Sequence, residues 1–104
     1  MNTLMFLFFI STNTLQASDS TMFARCSTWA AISQDKQGQS MYFRAYLKIK
    51  GLRKPDIAFY YHIGWAEGFS TGHGALPKSA KDDYNSMCIG DLKEYATELN
   101  KLKA

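Results

Sequence analysis

The chain has 104 residues, and its 12 Lys and Arg against 9 Asp and Glu leave a formal charge of +3. That balance is too small for the basic footprint of a nucleic-acid binder, and the length suits a single domain. Two cysteines with no close-spaced pair such as C-x-x-C argue against a zinc site, which needs four ligands.

Leu4 to Ile10 is an unbroken apolar run, followed by Ser11-Thr12-Asn13-Thr14 and then by Leu15-Gln16-Ala17. An apolar stretch ending in a small residue is what a signal peptidase reads, so residues 1–17 are expected to be a secretory leader. Met1-Asn2-Thr3 lacks the usual Lys or Arg. The run is far short of the ~20 apolar residues that span a bilayer, and no cysteine follows the cleavage point to carry a lipid anchor. Residues 18–104 are then expected to form one soluble domain in the periplasm or outside the cell. There Cys26 and Cys88 meet an oxidising environment and have one intramolecular pairing open to them, a disulfide. Closing a loop of about 60 residues contributes roughly 4 kcal/mol in the chain-entropy picture.

After Ser18-Asp19-Ser20-Thr21, which offers several N-caps, Met22, Cys26, Trp29, Ala30 and Ile32 follow a helical face over about Thr21 to Ser33. Gln39 to Lys50 admits both a helix (Phe43, Tyr46, Leu47, Lys50) and a strand (Ala45, Leu47 and Ile49 alternating with polar residues). No second alternating segment exists to pair with a strand, which favours the helix. Gly51 ends it. Pro55-Asp56 opens the next helix, with Pro in the first turn. That helix runs to Phe69 or Ser70 and is apolar nearly all round, so it is expected to be the buried central element. Gly64 within it implies a closely crossing neighbour, and Thr71-Gly72-His73-Gly74 reads as a loop. Lys78 to Met87 is a short polar helix, and Leu92, Tyr95, Ala96 and Leu99 mark a terminal amphipathic one. The expected fold is all-α: four to five helices closed by one disulfide.

Catalytic and metal-binding patterns are weak. His62 lies in the aromatic run with no serine placed beside it by a nucleophile elbow, and reads as a partly buried, hydrogen-bonded histidine. His73 between glycines reads as an exposed loop residue, and Asp82-Asp83 as solvated surface without calcium-loop companions. No phosphate-binding glycine loop is present. No enzyme activity, cofactor or metal is expected. Aromatic residues are what the chain has in excess: twelve remain after the leader, more than a core of this size encloses, and some are expected at the surface, where aromatic residues favour protein contacts. Arg44, Lys48, Lys50, Arg53 and Lys54 form an acid-free basic stretch, either a solvated face or a docking patch for an acidic partner or anionic surface. The candidate partner-binding residues are Tyr60, Tyr61, Trp65, Phe69, Arg44, Lys48 and Arg53.

The layout of a leader, a helix opened by Cys26-Ser27-Thr28-Trp29, the aromatic helix Phe59-Tyr60-Tyr61-His62-Ile63-Gly64-Trp65-Ala66 continuing into Glu67-Gly68-Phe69-Ser70-Thr71-Gly72, and Cys88 before a last helix resembles the small periplasmic acid-stress chaperones of the Hde type. Met41 to Leu52 is longer than in that pattern, and Ile89-Gly90-Asp91 replaces the usual Asn-Pro after the second cysteine. The layout is also similar to that of periplasmic immunity proteins that neutralise toxins of type VI secretion. The first resemblance implies binding of unfolding clients in acid: near pH 2 the carboxylates neutralise, twelve Lys and Arg and two His give +14, and the fold loosens. The second implies tight one-to-one binding at neutral pH. Both make the protein a binder of other proteins, with a homodimer as a further possibility, and neither involves nucleic acid or stable membrane insertion.

Overall fold

Phe23, Ala24, Cys26, Trp29 and Ala30 are fully buried although they point to several sides of one helix, α1 (Ser20–Ile32). The rest of the chain therefore wraps around α1. The computed structural model describes residues 14–103, so the apolar run expected to lead the chain lies outside the described residues. Among the described residues every regular element is helical. After α1 come α2 (Lys36–Lys50), α3 (Ile57–His73), a short α4 (Lys78–Asp83) that continues into a π-helical turn (Tyr84–Gly90), and α5 (Ala96–Asn100). Single 3-10 turns precede α1 (Ala17–Asp19) and α5 (Lys93–Tyr95). The all-α bundle and its Cys26–Cys88 disulfide, with Cα atoms 5.8 Å apart, are as expected.

The α1–α2 connection is three residues long, closed by Gln34 with φ 63°. Asp35 caps α2 by accepting the Gly38 N–H at 2.9 Å, which starts the helix at Lys36, three residues before Gln39. Gly38 is needed there, because a Cβ would collide with the Tyr84 hydroxyl and the Asp35 carboxylate. At the other end Gly51 takes a left-handed φ of 66°. Its N–H and that of Leu52 bond back to the Lys48 and Leu47 carbonyls, a Schellman stop that a side chain would strain. The helix thus prevails over the strand alternative for Gln39 to Lys50.

Asp56, not Pro55, makes the start of α3: its carboxylate accepts the Phe59 N–H at 3.0 Å, and Pro55 lies one residue outside. Three expectations for this helix are corrected. It extends through Thr71 and Gly72 to His73, absorbing the expected loop. It is also not the central helix, since only Phe59, Ala66 and Ser70 are buried. The small residues of α1 (Ala24, Cys26, Ser27, Ala30) let neighbours approach on several sides, whereas the bulk of α3 is too large to enclose on more than one. Finally, Gly64 is exposed and no neighbour lies within 4 Å of a Cβ placed there. Gly64→Ala is therefore expected to raise the unfolding free energy by up to about 1 kcal/mol. A fall in the urea midpoint would show a neighbour that the fold does not contain.

Cys88 sits on the π-helical turn, a widening that the apolar spacing of Lys78 to Met87 does not reveal. Leu92, Tyr95 and Leu99 then return to the core, while Ala96 faces solvent.

Candidate functional site

The buried positions of α3, namely Phe59, Ala66 and Ser70, share one side of the helix. On the opposite side lie Ile57, Tyr61, Gly64, Gly68 and Gly72 at helical spacing. Ile57 is 88% exposed, Tyr60 61% and Tyr61 64%, so three large side chains lie open together at the start of α3. A Cβ built on any of the three glycines meets open space. The outward face of α3 is thus an aromatic and aliphatic end followed by a shallow floor of glycine.

Its two flanks differ. Toward α1, Trp65 and Phe69 stack with centroids 5.0 Å apart and planes 9° from parallel. The Arg25 guanidinium covers the Trp65 ring at 3.4 Å from its centroid, and Phe69 leans on Trp29 and His73. Toward α2, a cleft of about 590 Å³ opens between α1, α2 and α3. Ile32, Phe43, Phe59 and Ile63 give it an apolar lining, with Lys36 and Glu67 also at its wall. Tyr60 borders both this cleft and the outward face, and packs edge-on against Phe59 at 5.7 Å.

A polar chain locks the far end of α3 to its neighbours. Trp29 Nε1–H donates to Ser70 Oγ at 2.8 Å, and the Ser70 hydroxyl donates to Asp83 Oδ2 at 2.6 Å. The same oxygen accepts from His73 Nε2 at 2.8 Å. His73 is therefore a helix-end residue tied to α4, not a free loop residue, and Asp83 is buried, unlike its exposed neighbour Asp82. The three residue types are those of a hydrolase triad, but their order differs. The carboxylate sits between serine and histidine, Ser70 is wholly buried, and its proton is already committed to Asp83. Chemically this is a clamp joining α1, α3 and α4. It was legible only in part: Ser70 and His73 are three apart on one helix face once α3 is known to reach His73, but nothing in the sequence announces Asp83.

His62 is half-buried. Its Nε2 lies 3.4 Å from Thr21 Oγ1, and its Nδ1 has no hydrogen-bond partner. Burial first, with Arg25 and Lys50 adding repulsion, holds its pKa below the ordinary 6.5. Asp56 accepts from the Tyr46 hydroxyl at 2.6 Å and pairs with Lys50 at 3.0 Å; these bonds, the tyrosine's foremost, hold its pKa at about 2. Asp35 is lowered likewise, chiefly by the Tyr84 hydroxyl at 2.7 Å and then by the Gly38 N–H. All three groups are depressed in the fold, so each stabilises above its unfolded pKa and loses that contribution as pH falls. Stability is expected to decline in two steps, one beginning below about pH 6.5 from His62 and one between about pH 4 and 2 from Asp35 and Asp56. Urea midpoints measured from pH 8 to 2 check this. His62→Gln should remove the upper step and leave the lower.

The expected partner-binding residues do not form one patch. Tyr60 and Tyr61 belong to the outward face of α3, with Trp65 and Phe69 on its α1 flank. Arg44 is exposed on α2 and donates to the Leu102 carbonyl at 3.2 Å, toward the C-terminus. Lys48 is exposed one turn beyond it, and Arg53 lies in the α2–α3 loop. Three contributors escaped the sequence reading: Ile57, Arg25 and the glycine series. Ile57 belongs to a helix expected to be buried all round, and the i, i+4, i+8 spacing of Gly64, Gly68 and Gly72 is the available signal for the series. Among the described residues no cluster of three or more His, Cys, Asp or Glu is placed to hold a metal, and no helix is long and apolar enough to cross a membrane. No family model matches this chain, and neither a curated protein nor a solved structure does.

Proposed function

We propose that this is an exported, non-enzymatic protein that binds another protein in its folded state through the outward face of α3 and the cleft beside it. The observation that carries the reading is the exposure of Ile57, Tyr60 and Tyr61 on a helix whose other side is firmly packed. Contiguous apolar surface of this kind marks interaction sites, and tyrosine and tryptophan are the side chains that dominate protein interfaces. The cleft offers a pocket for one anchoring side chain of the partner. A disulfide across 62 residues suits an oxidising compartment and agrees with a leader over residues 1–17.

A face already formed at neutral pH favours a stoichiometric partner, as for an immunity or inhibitor protein. One observation favours the acid-chaperone alternative: His62, Asp35 and Asp56 tie α1, α2, α3 and the π-helical turn together through groups that weaken in acid, so low pH loosens the bundle around an aromatic helix. The two readings separate in one experiment. The purified protein is used as bait for an envelope extract of the producing cells at pH 7, and in parallel is tested for suppressing aggregation of unrelated proteins at pH 2 to 3. The favoured reading expects one partner at 1:1 stoichiometry, lost in Tyr61→Asp and Trp65→Ser variants that keep their helical circular dichroism, and no suppression in acid. Broad suppression in acid without a neutral partner transfers the assignment to the chaperone. Failure of both removes the protein-binding reading.

A further inference from the structure

The α2–α3 hairpin holds the protein's positive charge. Residues 36–73 contain six cations (Lys36, Arg44, Lys48, Lys50, Arg53 and Lys54) and two carboxylates, Asp56 and Glu67, a net of +4. The remainder has six cations and seven carboxylates, a net of −1, which together give the total of +3. A chain with a mild overall charge is thus electrically lopsided. Asp56 is paired with Lys50 at 3.0 Å, which leaves Arg53 and Lys54 beside it without an acidic partner among the described residues.

At one end of this hairpin charge and apolar surface converge. Arg53 and Lys54 stand exposed in the loop between Gly51 and Asp56, and neither forms an ion pair among the described residues. Three residues on, Ile57 begins α3 and is the most exposed large apolar side chain described. One turn further Tyr60 and Tyr61 present rings with polar tips, the chemistry that settles at a water–hydrocarbon boundary. Exposed cations thus stand next to an exposed aliphatic group, with tyrosines behind, at the tip of the hairpin.

We propose that this tip docks the protein on an anionic lipid bilayer, with Arg53 and Lys54 against headgroup phosphates and Ile57 entering the acyl boundary. A protein partner would have to supply a concave acidic surface around Ile57, whereas a fluid headgroup layer moulds itself to a protrusion. Charge complementarity favours the anionic leaflet. Docked end-on, Phe69 lies twelve residues along α3 from Ile57, about 18 Å at 1.5 Å per residue. That is beyond the roughly 5–10 Å depth of interfacial insertion, so the Trp65–Phe69 flank stays available, whereas the Pro55 and Tyr60 end of the cleft is covered. The inference does not depend on the protein partner proposed above.

The test is co-sedimentation of the full protein with unilamellar vesicles of phosphatidylcholine, with and without 30 mol% phosphatidylglycerol (about one lipid in three, to approximate an anionic leaflet). Binding is expected to the anionic vesicles alone, and to weaken when salt shortens the screening length. Arg53→Ser with Lys54→Ser, and separately Ile57→Asp, should each weaken it by roughly tenfold or more, while Lys78→Ser with Lys81→Ser leaves it unchanged. All variants should keep the parent circular dichroism. No binding to anionic vesicles, equal binding to neutral ones, or indifference to either tip variant overturns the proposal. So does dependence on Arg53 and Lys54 that appears only with an acidic protein. Loss of vesicle binding leaves the Tyr61 and Trp65 experiment unaffected, so the two readings fail separately.

Discussion

Replacing Cys26 and Cys88 together by alanine is expected to lower the free energy of unfolding by about 4 kcal/mol. The bond joins α1 to the π-helical turn across 62 residues, so without it the unfolded chain regains the freedom of most of its length. The expected total stability of a domain this size is about 5–10 kcal/mol, so the variant should be largely unfolded by mild warming or low urea. Alanine is chosen because both cysteines are buried, and serine hydroxyls there would add a separate penalty for unpartnered polar groups. Urea unfolding followed by circular dichroism, with the parent protein under reducing and non-reducing conditions, gives the comparison. Reduction of the parent should match the double variant. A loss below about 1 kcal/mol would mean that the helices hold Cys26 and Cys88 together unaided, and that the tie matters little.

Trp29→Ala carries the second large effect. Trp29 is the largest fully buried side chain and sits where α1 meets α3, its ring beside Phe69 and its indole N–H on Ser70. Truncation leaves a cavity at the centre and should cost about 3–5 kcal/mol. Trp29→Phe separates the two contributions: it keeps most of the volume and removes the donor, leaving Ser70 with its bond to Asp83 alone, for about 1–3 kcal/mol. The order wild type, Trp29→Phe, Trp29→Ala in urea midpoint is therefore expected. Equal loss in both variants would place the whole effect in the hydrogen-bonded chain Trp29–Ser70–Asp83.

Most of the helical layout was visible in the residues, because it is written in local terms: apolar spacing, Asp56 at the start of α3, Gly51 as a stop, and the unique pairing of Cys26 with Cys88. The rank of the helices was not. Hydrophobic bulk made α3 look central, yet the element that others surround needs small residues on several sides, and α1 has them. Two glycines misled by opposite routes. Gly72 looked like a loop although the helix passes through it, and Gly64 suggested a close crossing although it faces open solvent. The clamp of Ser70, His73 and Asp83 depends on α4 folding back against α3, a distance relation that no spacing along the chain expresses. The candidate face was half legible. Tyr60 and Tyr61 stand out in the residues as partner-binding candidates, but Ile57 does not, because its exposure follows only from which side of α3 is packed.

The claim on which the account rests is that the outward side of α3 receives a protein partner while the bundle is intact. A photo-crosslinking amino acid at position 61, compared with one at the exposed position 81 on α4, tests it in producing cells at neutral pH. The account predicts a single adduct of defined mass from position 61 and none from position 81. Equal labelling from both, or adducts from position 61 that appear only after acidification, would contradict it.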